Sequence, residues 1–305
     1  MRALVTGSHG FVGKYLRAEL EQNGYEVVGM DLHGGEKAIQ LDLRDAAAVE
    51  SAVAGLRPDV IVHLAGQANV GLSWKQPQKT VEANVICAIN LMEAARRAAP
   101  AVRMVMVGSS DEYGSLGADG ALVSETLPTR PQTPYAVSKK AQEEMAQVYA
   151  RAYGLHICMT RSFNHGGAGQ REGFLIPDFA AGIVRVERGL QPCLRVGNLA
   201  AKRDFTHVRD VARAYRLIAE KGRPGEIYNV GSGVTHSVQE ILDRLCGMAV
   251  CPIPVERDPS KMRPSDTPVI CCDHRKLTED TGWTPLYGMD EILAETLAYW
   301  REQIR

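Results

Sequence analysis

A short apolar run, Arg2–Thr6, breaks into Gly7-Ser8-His9-Gly10-Phe11-Val12-Gly13 and is followed at once by a helical pattern. Glycines at a strand-to-helix turn allow backbone segments to meet where a Cβ would collide. They also let backbone N–H groups approach an anion, to which the helix N-terminus adds partial positive charge. The spacing is G-x-x-G-x-x-G rather than G-x-G-x-x-G, and the strand and helix on either side are what give it meaning. A chain that opens this way is constrained to βαβ units.

The next segments agree. Strands are expected at Glu26–Asp31, Val60–Leu64, Arg103–Gly108 and Leu155–Arg161, with helices beginning near Gly10, Ala46, Pro77 and Pro134. The runs VIVHLA and VRMVMVG are apolar nearly throughout, as strands covered on both faces are. The fold class is therefore α/β, a doubly wound parallel sheet with helices on both faces. After Arg161 the pattern becomes irregular, with helices near Phe174–Arg188, Val208–Lys221, Ser237–Met248 and Met289–Gln303 separated by Gly- and Pro-containing segments. The 305 residues are thus read as a dinucleotide-binding unit over 1–162 and a smaller α/β substrate-binding region over 163–305, with chain crossings between them.

In this context the turn is suited to a dinucleotide pyrophosphate, with Gly7, His9, Gly10, Phe11, Val12 and Gly13 around it. Asp31 ends the second strand, where a carboxylate can accept from adenosine ribose hydroxyls. It would repel a 2′-phosphate, which favours NAD(H) and leaves NADP(H) as the alternative. Asp42 and Leu43 are candidates for the adenine, and Leu64 and Ala65, ending the Val60–Leu64 strand, for the same crevice.

Tyr135-Ala136-Val137-Ser138-Lys139 follows Pro134, which suits a helix start. Tyrosine and lysine at i and i+4 share one helix face. An ammonium near a phenol favours phenolate, so the pair is expected to lower the Tyr135 pKa toward the range of an acid–base catalyst. Gly108-Ser109-Ser110-Asp111-Glu112-Tyr113-Gly114 ends a parallel strand, where a serine hydroxyl points into the ligand crevice.

Together these residues resemble the extended short-chain dehydrogenase/reductases that act on nucleotide sugars. The resemblance rests on Gly7, Gly10 and Gly13, His63-Leu64-Ala65, Asn84, the Ser109 region, Tyr135/Lys139 and Arg203-Asp204-Phe205, and runs over nearly the whole chain. It implies a Rossmann-type fold. It also implies that Ser109 and Tyr135 bind the sugar C4 oxygen, that Tyr135 transfers the proton, and that Lys139 contacts the nicotinamide ribose. Arg161-Ser162-Phe163-Asn164-His165, Gly197-Asn198-Leu199-Ala200-Ala201-Lys202-Arg203-Asp204 and Arg263-Pro264-Ser265-Asp266 are similar to the GDP-mannose branch, and within it Phe163-Asn164-His165-Gly166-Gly167-Ala168-Gly169-Gln170 followed by Gly173-Phe174 resembles the 4-keto-6-deoxy-mannose reductases. By that resemblance Asn164, Arg203, Arg263 and Asp266 contact the GDP-sugar, alongside Ser110 and Asp111. The reaction implied is reduction of the C4 ketone to GDP-rhamnose or its C4 epimer.

Two other readings remain open. A GDP-mannose 4,6-dehydratase needs a carboxylate for the C5 proton; counting back from Tyr113-Gly114 aligns Asp111 with it, whereas counting forward from Gly108 aligns Glu112. The other is a non-catalytic NAD-binding sensor. The resemblance also implies a homodimer through helices near Pro77–Ala98 and Tyr135–Tyr153, where Ala94, Ala95, Ala141, Ala146, Ala150 and Ala152 either pack across the dimer or face the sheet.

Composition narrows the partners. With 35 basic and 36 acidic residues the net charge is −1, which offers no bulk attraction to nucleic acid or an anionic membrane. No apolar run suffices to span a bilayer, and the N-terminus lacks a signal-peptide core. The seven cysteines, at 87, 158, 193, 246, 251, 271 and 272, form no C-x-x-C; reduced thiols in a cytoplasmic protein are expected, with no metal site.

Overall fold

The short apolar runs become strands because each is buried on both faces. The computed structural model describes residues 1–35, 37–116, 120–261 and 268–305. In it β1 (Arg2–Thr6) leads through the glycine turn into α1 (Phe11–Gln22), β2 (Glu26–Asp31), β3 (Ala38–Gln40), α2 (Ala46–Leu56) and β4 (Val60–His63). Two short helices, α3 (Val70–Lys75) and α4 (Pro77–Val81), pass through a π-helical turn at Glu82–Ile86 into α5 (Cys87–Ala98). β5 (Arg103–Ser109) ends in a 3-10 turn at Ser110–Tyr113, and β6 (Leu122–Val123) precedes the long α6 (Pro134–Tyr153). There follow β7 (His156–Ser162), β8 (Asn164–Gly166), α7 (Leu175–Glu187), β9 (Leu194–Val196), β10 (Lys202–His207) and α8 (Val208–Lys221). The order closes with β11 (Ile227–Val230), β12 (Thr235–Ser237), α9 (Val238–Gly247), β13 (Val255–Arg257), β14 (Val269–Cys272), α10 (Arg275–Thr281) and α11 (Met289–Gln303).

The main sheet runs β3-β2-β1-β4-β5-β7-β11, and every pairing in it is parallel. The chain winds outward from β1 to β3, then returns to begin again at β4. The switch point between β1 and β4 is where such a sheet opens a crevice at its strand ends. Side chains alternate across the sheet. Val5 and Val62 meet Leu16 of α1 and Tyr215 of α8 in one apolar layer. Leu4, Ile61 and Met104 meet Val49 of α2, Leu91 of α5 and Ala146 of α6 in the other. Ala94 and Ala95 lie in this second layer too, so these alanines face the sheet and are not free to pack across a dimer.

The two parts of the chain interleave. β11 adds the last strand of the main sheet, while β6 joins β12, β10 and β14 in a second sheet. β8 pairs with β10, and β9 with β13. Helices α7, α9 and α11 close a third core around Phe179, Ile241, Leu245 and Ile292. All seven cysteines are free thiols, and among the described residues no helix is long and apolar enough to cross a membrane.

Asp204 on β10 locks the second sheet to the first. Its buried carboxylate accepts from the Ser232 amide (2.9 Å) and hydroxyl (2.6 Å), the Gly233 amide (2.8 Å) and the Cys272 amide (3.1 Å). Asp204→Ala leaves buried donors unsatisfied and should cost about 3 kcal/mol. Urea unfolding reads this as a lower midpoint at unchanged slope.

Candidate active site

At the glycine turn Gly7 takes φ +68°, a left-handed conformation that favours glycine. Its amide donates to the Met30 carbonyl (2.8 Å), and the Gly10 amide donates to the Gly7 carbonyl (3.0 Å). A Cβ on Gly7 would lie 2.9 Å from the Ala65 amide, and one on Gly13 would lie 2.4 Å from the Gly7 carbonyl oxygen. The ends of β1 and β4 and the start of α1 therefore touch through backbone alone. Gly10 caps α1 with no side chain, and the first turn holds no acidic residue. The positive end of the helix is open to an anion, which fits a dinucleotide pyrophosphate.

Around this turn, Asp31 accepts from the His9 amide (3.0 Å). The Phe11 ring stacks on His165 of β8 at 6.1 Å between centroids, so β8 reaches the glycine turn. Val12 and Leu64 pack against the first apolar layer, and the Ala65 amide donates to the Thr6 hydroxyl (3.3 Å). Asp42 is engaged elsewhere: Arg44 donates to it from Nε (3.0 Å) and Nη2 (2.6 Å) and holds its carboxyl below the ordinary range. The Leu43 side chain is buried in the second layer.

The second group of residues gathers where β5 meets α6. Thr133 caps the helix by accepting from the Ala136 amide (3.0 Å), with Pro134 in the first turn. Tyr135 and Lys139 are buried on its inner face. The Ser109 hydroxyl hydrogen-bonds the Tyr135 phenol and accepts from the Asp111 amide (3.2 Å). Lys139 Nζ donates to the Val107 carbonyl (2.8 Å) and to Gln142 Oε1 (3.0 Å). Asn84, in the π-helical turn, donates to the Ser138 hydroxyl (2.9 Å) and accepts from the Gln67 amide (2.7 Å). Such turns often mark functional positions; Asn84 here braces the helix start that carries Tyr135.

The adjacent carboxylates point in opposite senses. Glu112 is fully buried and accepts from the Ser109 amide (2.9 Å), whereas Asp111 is exposed and its charge acts on Tyr135. Ser110 is buried. On the second sheet, Asn164 lies opposite Phe205 in the β8–β10 pairing and donates to the Asp204 carbonyl (3.3 Å). Arg203, two residues earlier on β10, donates to the Lys202 carbonyl (2.8 Å). Arg263 and Asp266 lie outside the described residues.

Residues 4–296 match the sequence family described as GDP-mannose 4,6 dehydratase. The chain belongs to this family. It is 31% identical to the GDP-6-deoxy-D-mannose reductase of Pseudomonas aeruginosa, covering 100% of this chain and 98% of that protein. It is also 31% identical to GDP-mannose 4,6 dehydratase 1 of Arabidopsis thaliana, covering 95% of this chain and 87% of that protein. Among solved structures, RMD from Pseudomonas aeruginosa complexed with NADPH superposes with a TM-score of 0.89 at 30% identity over 99% of each chain. The UDP-glucose 4-epimerase of Thermus thermophilus in complex with NAD gives 0.89 at 31% over 100% of each. The family unites NAD(P)-dependent nucleotide-sugar oxidoreductases, epimerases and dehydratases on a Rossmann-type fold.

Within this family frame the electrostatics run against one expectation. Burial pushes the Tyr135 phenol above its ordinary value, and the Asp111 charge adds to it, with only the Ser109 bond opposing. The protein's own groups thus raise the phenol rather than lower it. Lys139 is itself pushed down to about 8 by burial, against the Glu112 charge, and spends its donors on Val107 and Gln142. Asn84 and His165 were given no site role from sequence, although both fall in segments that carry the resemblance; Glu112 was weighed only as the alternative to Asp111 for the dehydratase carboxylate, and its inward position was not foreseen.

Gly13→Ala puts a methyl group against the Gly7 carbonyl and should weaken NADH or NADPH binding at least tenfold, a loss of about 1.4 kcal/mol. Fluorescence titration measures this, with circular dichroism confirming that the variant is folded.

Proposed function

We propose that this chain reduces the C4 ketone of GDP-4-keto-6-deoxy-mannose, giving GDP-rhamnose or its C4 epimer. The observation that carries this reading is the Ser109–Tyr135–Lys139 cluster, with Glu112 buried against the Ser109 amide rather than exposed to the crevice. The exposed carboxylate beside the cluster is the shorter Asp111, whereas the family's dehydratases carry glutamate there. Near end-to-end coverage of the Pseudomonas reductase supports the same choice.

Tyr135 would donate its proton to the C4 oxygen as negative charge develops there, and Ser109 would steady that oxygen. The buried, hydrogen-bonded Lys139 would keep a positive charge beside the phenol. A reduced nicotinamide, when bound, supplies the hydride. Gly7, His9, Gly10, Phe11, Val12 and Gly13 would hold its pyrophosphate, with Leu64 and Ala65 lining the crevice and Tyr135 and Lys139 reaching the nicotinamide ribose. Asp31, at the end of β2, favours NADH by accepting ribose hydroxyls and repelling a 2′-phosphate. Asp42 and Leu43 can reach the adenine only through groups not already engaged. Ser110, Asp111, Asn164, Arg203, Arg263 and Asp266 would contact the GDP-sugar, since a diphosphate bound by a chain of net charge −1 needs local guanidinium groups. Residues 1–162 would thus serve the dinucleotide and 163–305 the sugar nucleotide.

Incubation with the 4-keto sugar and NADH, followed by mass spectrometry, should show a gain of two hydrogens. Tyr135→Phe should cut the rate at least a hundredfold, within the range general acids contribute, while leaving NADH binding nearly unchanged. The acidic Asp111 near Tyr135 keeps the dehydratase as second reading: loss of water from GDP-mannose without added cofactor would replace the first proposal with it. No turnover under either condition would favour a sensor.

Ala94, Ala95 and Ala146 are buried against the sheet, which leaves Ala141 and the exposed Ala152 of α6 for the expected homodimer. Val137 (51% exposed) and Val148 (44%) recur on one outer face of α6, with Val81 and Ile86 exposed on the neighbouring α4 and π-helical turn. Val148→Glu should move the chain to monomer size in sedimentation; an unchanged dimer would rule out this face.

A further inference from the structure

We propose that Glu112 is a positioning residue for the Ser109–Tyr135–Lys139 cluster: its buried carboxyl anchors the Ser109 amide and, by gaining or losing a proton, sets the charge that Lys139 carries. The inference deepens the proposed function and rests on that reading for its catalytic meaning only.

The geometry begins on β5. Lys139 takes the Val107 carbonyl (2.8 Å) and Glu112 takes the Ser109 amide (2.9 Å). These backbone groups are two residues apart and leave the same edge of the strand. Between them is Gly108, where a Cβ would lie 2.7 Å from Glu112 Oε1 and 2.3 Å from the Thr160 carbonyl oxygen. Glycine there lets the carboxyl lie against the strand.

Among the described residues Glu112 has no cation to itself. Arg161 spends Nε and Nη2 on Glu143, each at 2.8 Å, and its Nε stands 3.8 Å from Glu112 Oε2. Lys140 also pairs with Glu143 (2.7 Å). Burial opposes ionisation of Glu143, but these two cations hold its carboxyl below the ordinary range. Glu112 Oε2 is buried with no donor among the described residues. An ionised oxygen in that position is costly, whereas a protonated one can donate to Glu143, with which it is in hydrogen-bond reach. Burial first, and the Glu143 charge second, accordingly push Glu112 well above the ordinary carboxyl range.

The groups facing Lys139 leave Glu112 as its electrostatic partner. His63 of β4 is neutral, pushed down to about 3 by burial and by Lys139; Tyr135 is protonated; Gln142 is uncharged. Glu112 is the acid whose charge raises Lys139. The two groups therefore titrate as a pair. With Glu112 protonated, Lys139 gives up its proton more readily; with Glu112 ionised, the ammonium is retained.

The ligand-free chain carrying isotope-labelled lysine tests this by NMR at the lysine Cε against pH, with Lys139→Gln assigning the signal. Glu112→Gln keeps an acceptor for the Ser109 amide but cannot ionise, so Lys139 should titrate about one pH unit below the parent. Glu143→Gln removes a charge that opposes ionisation of Glu112, so Glu112 ionises at lower pH and Lys139 should move upward. Coincident curves for Glu112→Gln and the parent, or an upward shift in Glu112→Gln, would overturn the proposal. If Glu112→Gln does not fold, the direction of the Glu143→Gln shift decides alone, upward supporting and unchanged or downward overturning. The measurement needs neither sugar nor cofactor, so a wrong substrate assignment leaves it intact.

Discussion

A space too small for one methyl group governs this molecule. At Gly13 a Cβ would stand 2.4 Å from the Gly7 carbonyl oxygen, and at Gly7 one would stand 2.9 Å from the Ala65 amide. Three backbone segments thus meet without side chains between them. Because β1 and β4 are held together here, the sheet's winding reverses at this point, and the crevice opens beside the uncapped start of α1. The rest of the site is measured from this contact: Thr6 of β1 bonds both His63 (2.8 Å) and Ala65 (3.3 Å) of the β4 end, and β5 pairs with β4.

On the other side of the crevice the ordering force is electrostatic. A chain with nearly balanced charge has no long-range field to spend on ligands, so charge must be concentrated locally. It does so behind β5, where Arg161, Glu143 and Glu112 are buried together and the Arg161 guanidinium lies 4.8 Å from the centre of the Tyr113 ring. Buried ion pairs add little net stability, but they tolerate few arrangements. The cluster fixes the relation of α6, β5 and β7, and with it the approach of Tyr135 to Ser109.

Elements bounded by strong turn chemistry were legible in the sequence. β1 and β2 fall at the expected residues because glycine and acidic residues close them, and α6 begins where Thr133 and Pro134 require. β3, β9 and β13 were not legible; at three residues each they carry no period to read. β11 is a four-residue strand whose membership in the main sheet depends on long-range pairing with β7. The alanines illustrate the same limit. A small residue on a helix fits equally against a sheet or another helix, and only the packed layer containing Leu4, Ile61 and Met104 decides for Ala94, Ala95 and Ala146. The Tyr135–Lys139 spacing was legible, yet the direction of the phenol's shift was not, because burial and Asp111 outweigh what spacing alone suggests.

The Asp111–Glu112 pair shows why spacing cannot assign a carboxylate in a turn. In a 3-10 turn successive side chains point about 120° apart, so a one-residue change of alignment exchanges the inward and outward acids. What decides is the capping box: the Ser109 hydroxyl accepts from the Asp111 amide, and Glu112 returns to the Ser109 amide. Glu112 must point back to close the box, which leaves Asp111 outward. The hydroxyl bonded to the Tyr135 phenol is thus also the cap that starts the turn. A change that weakened the turn would move Ser109 as well, so local stability and site geometry depend here on the same hydrogen bonds.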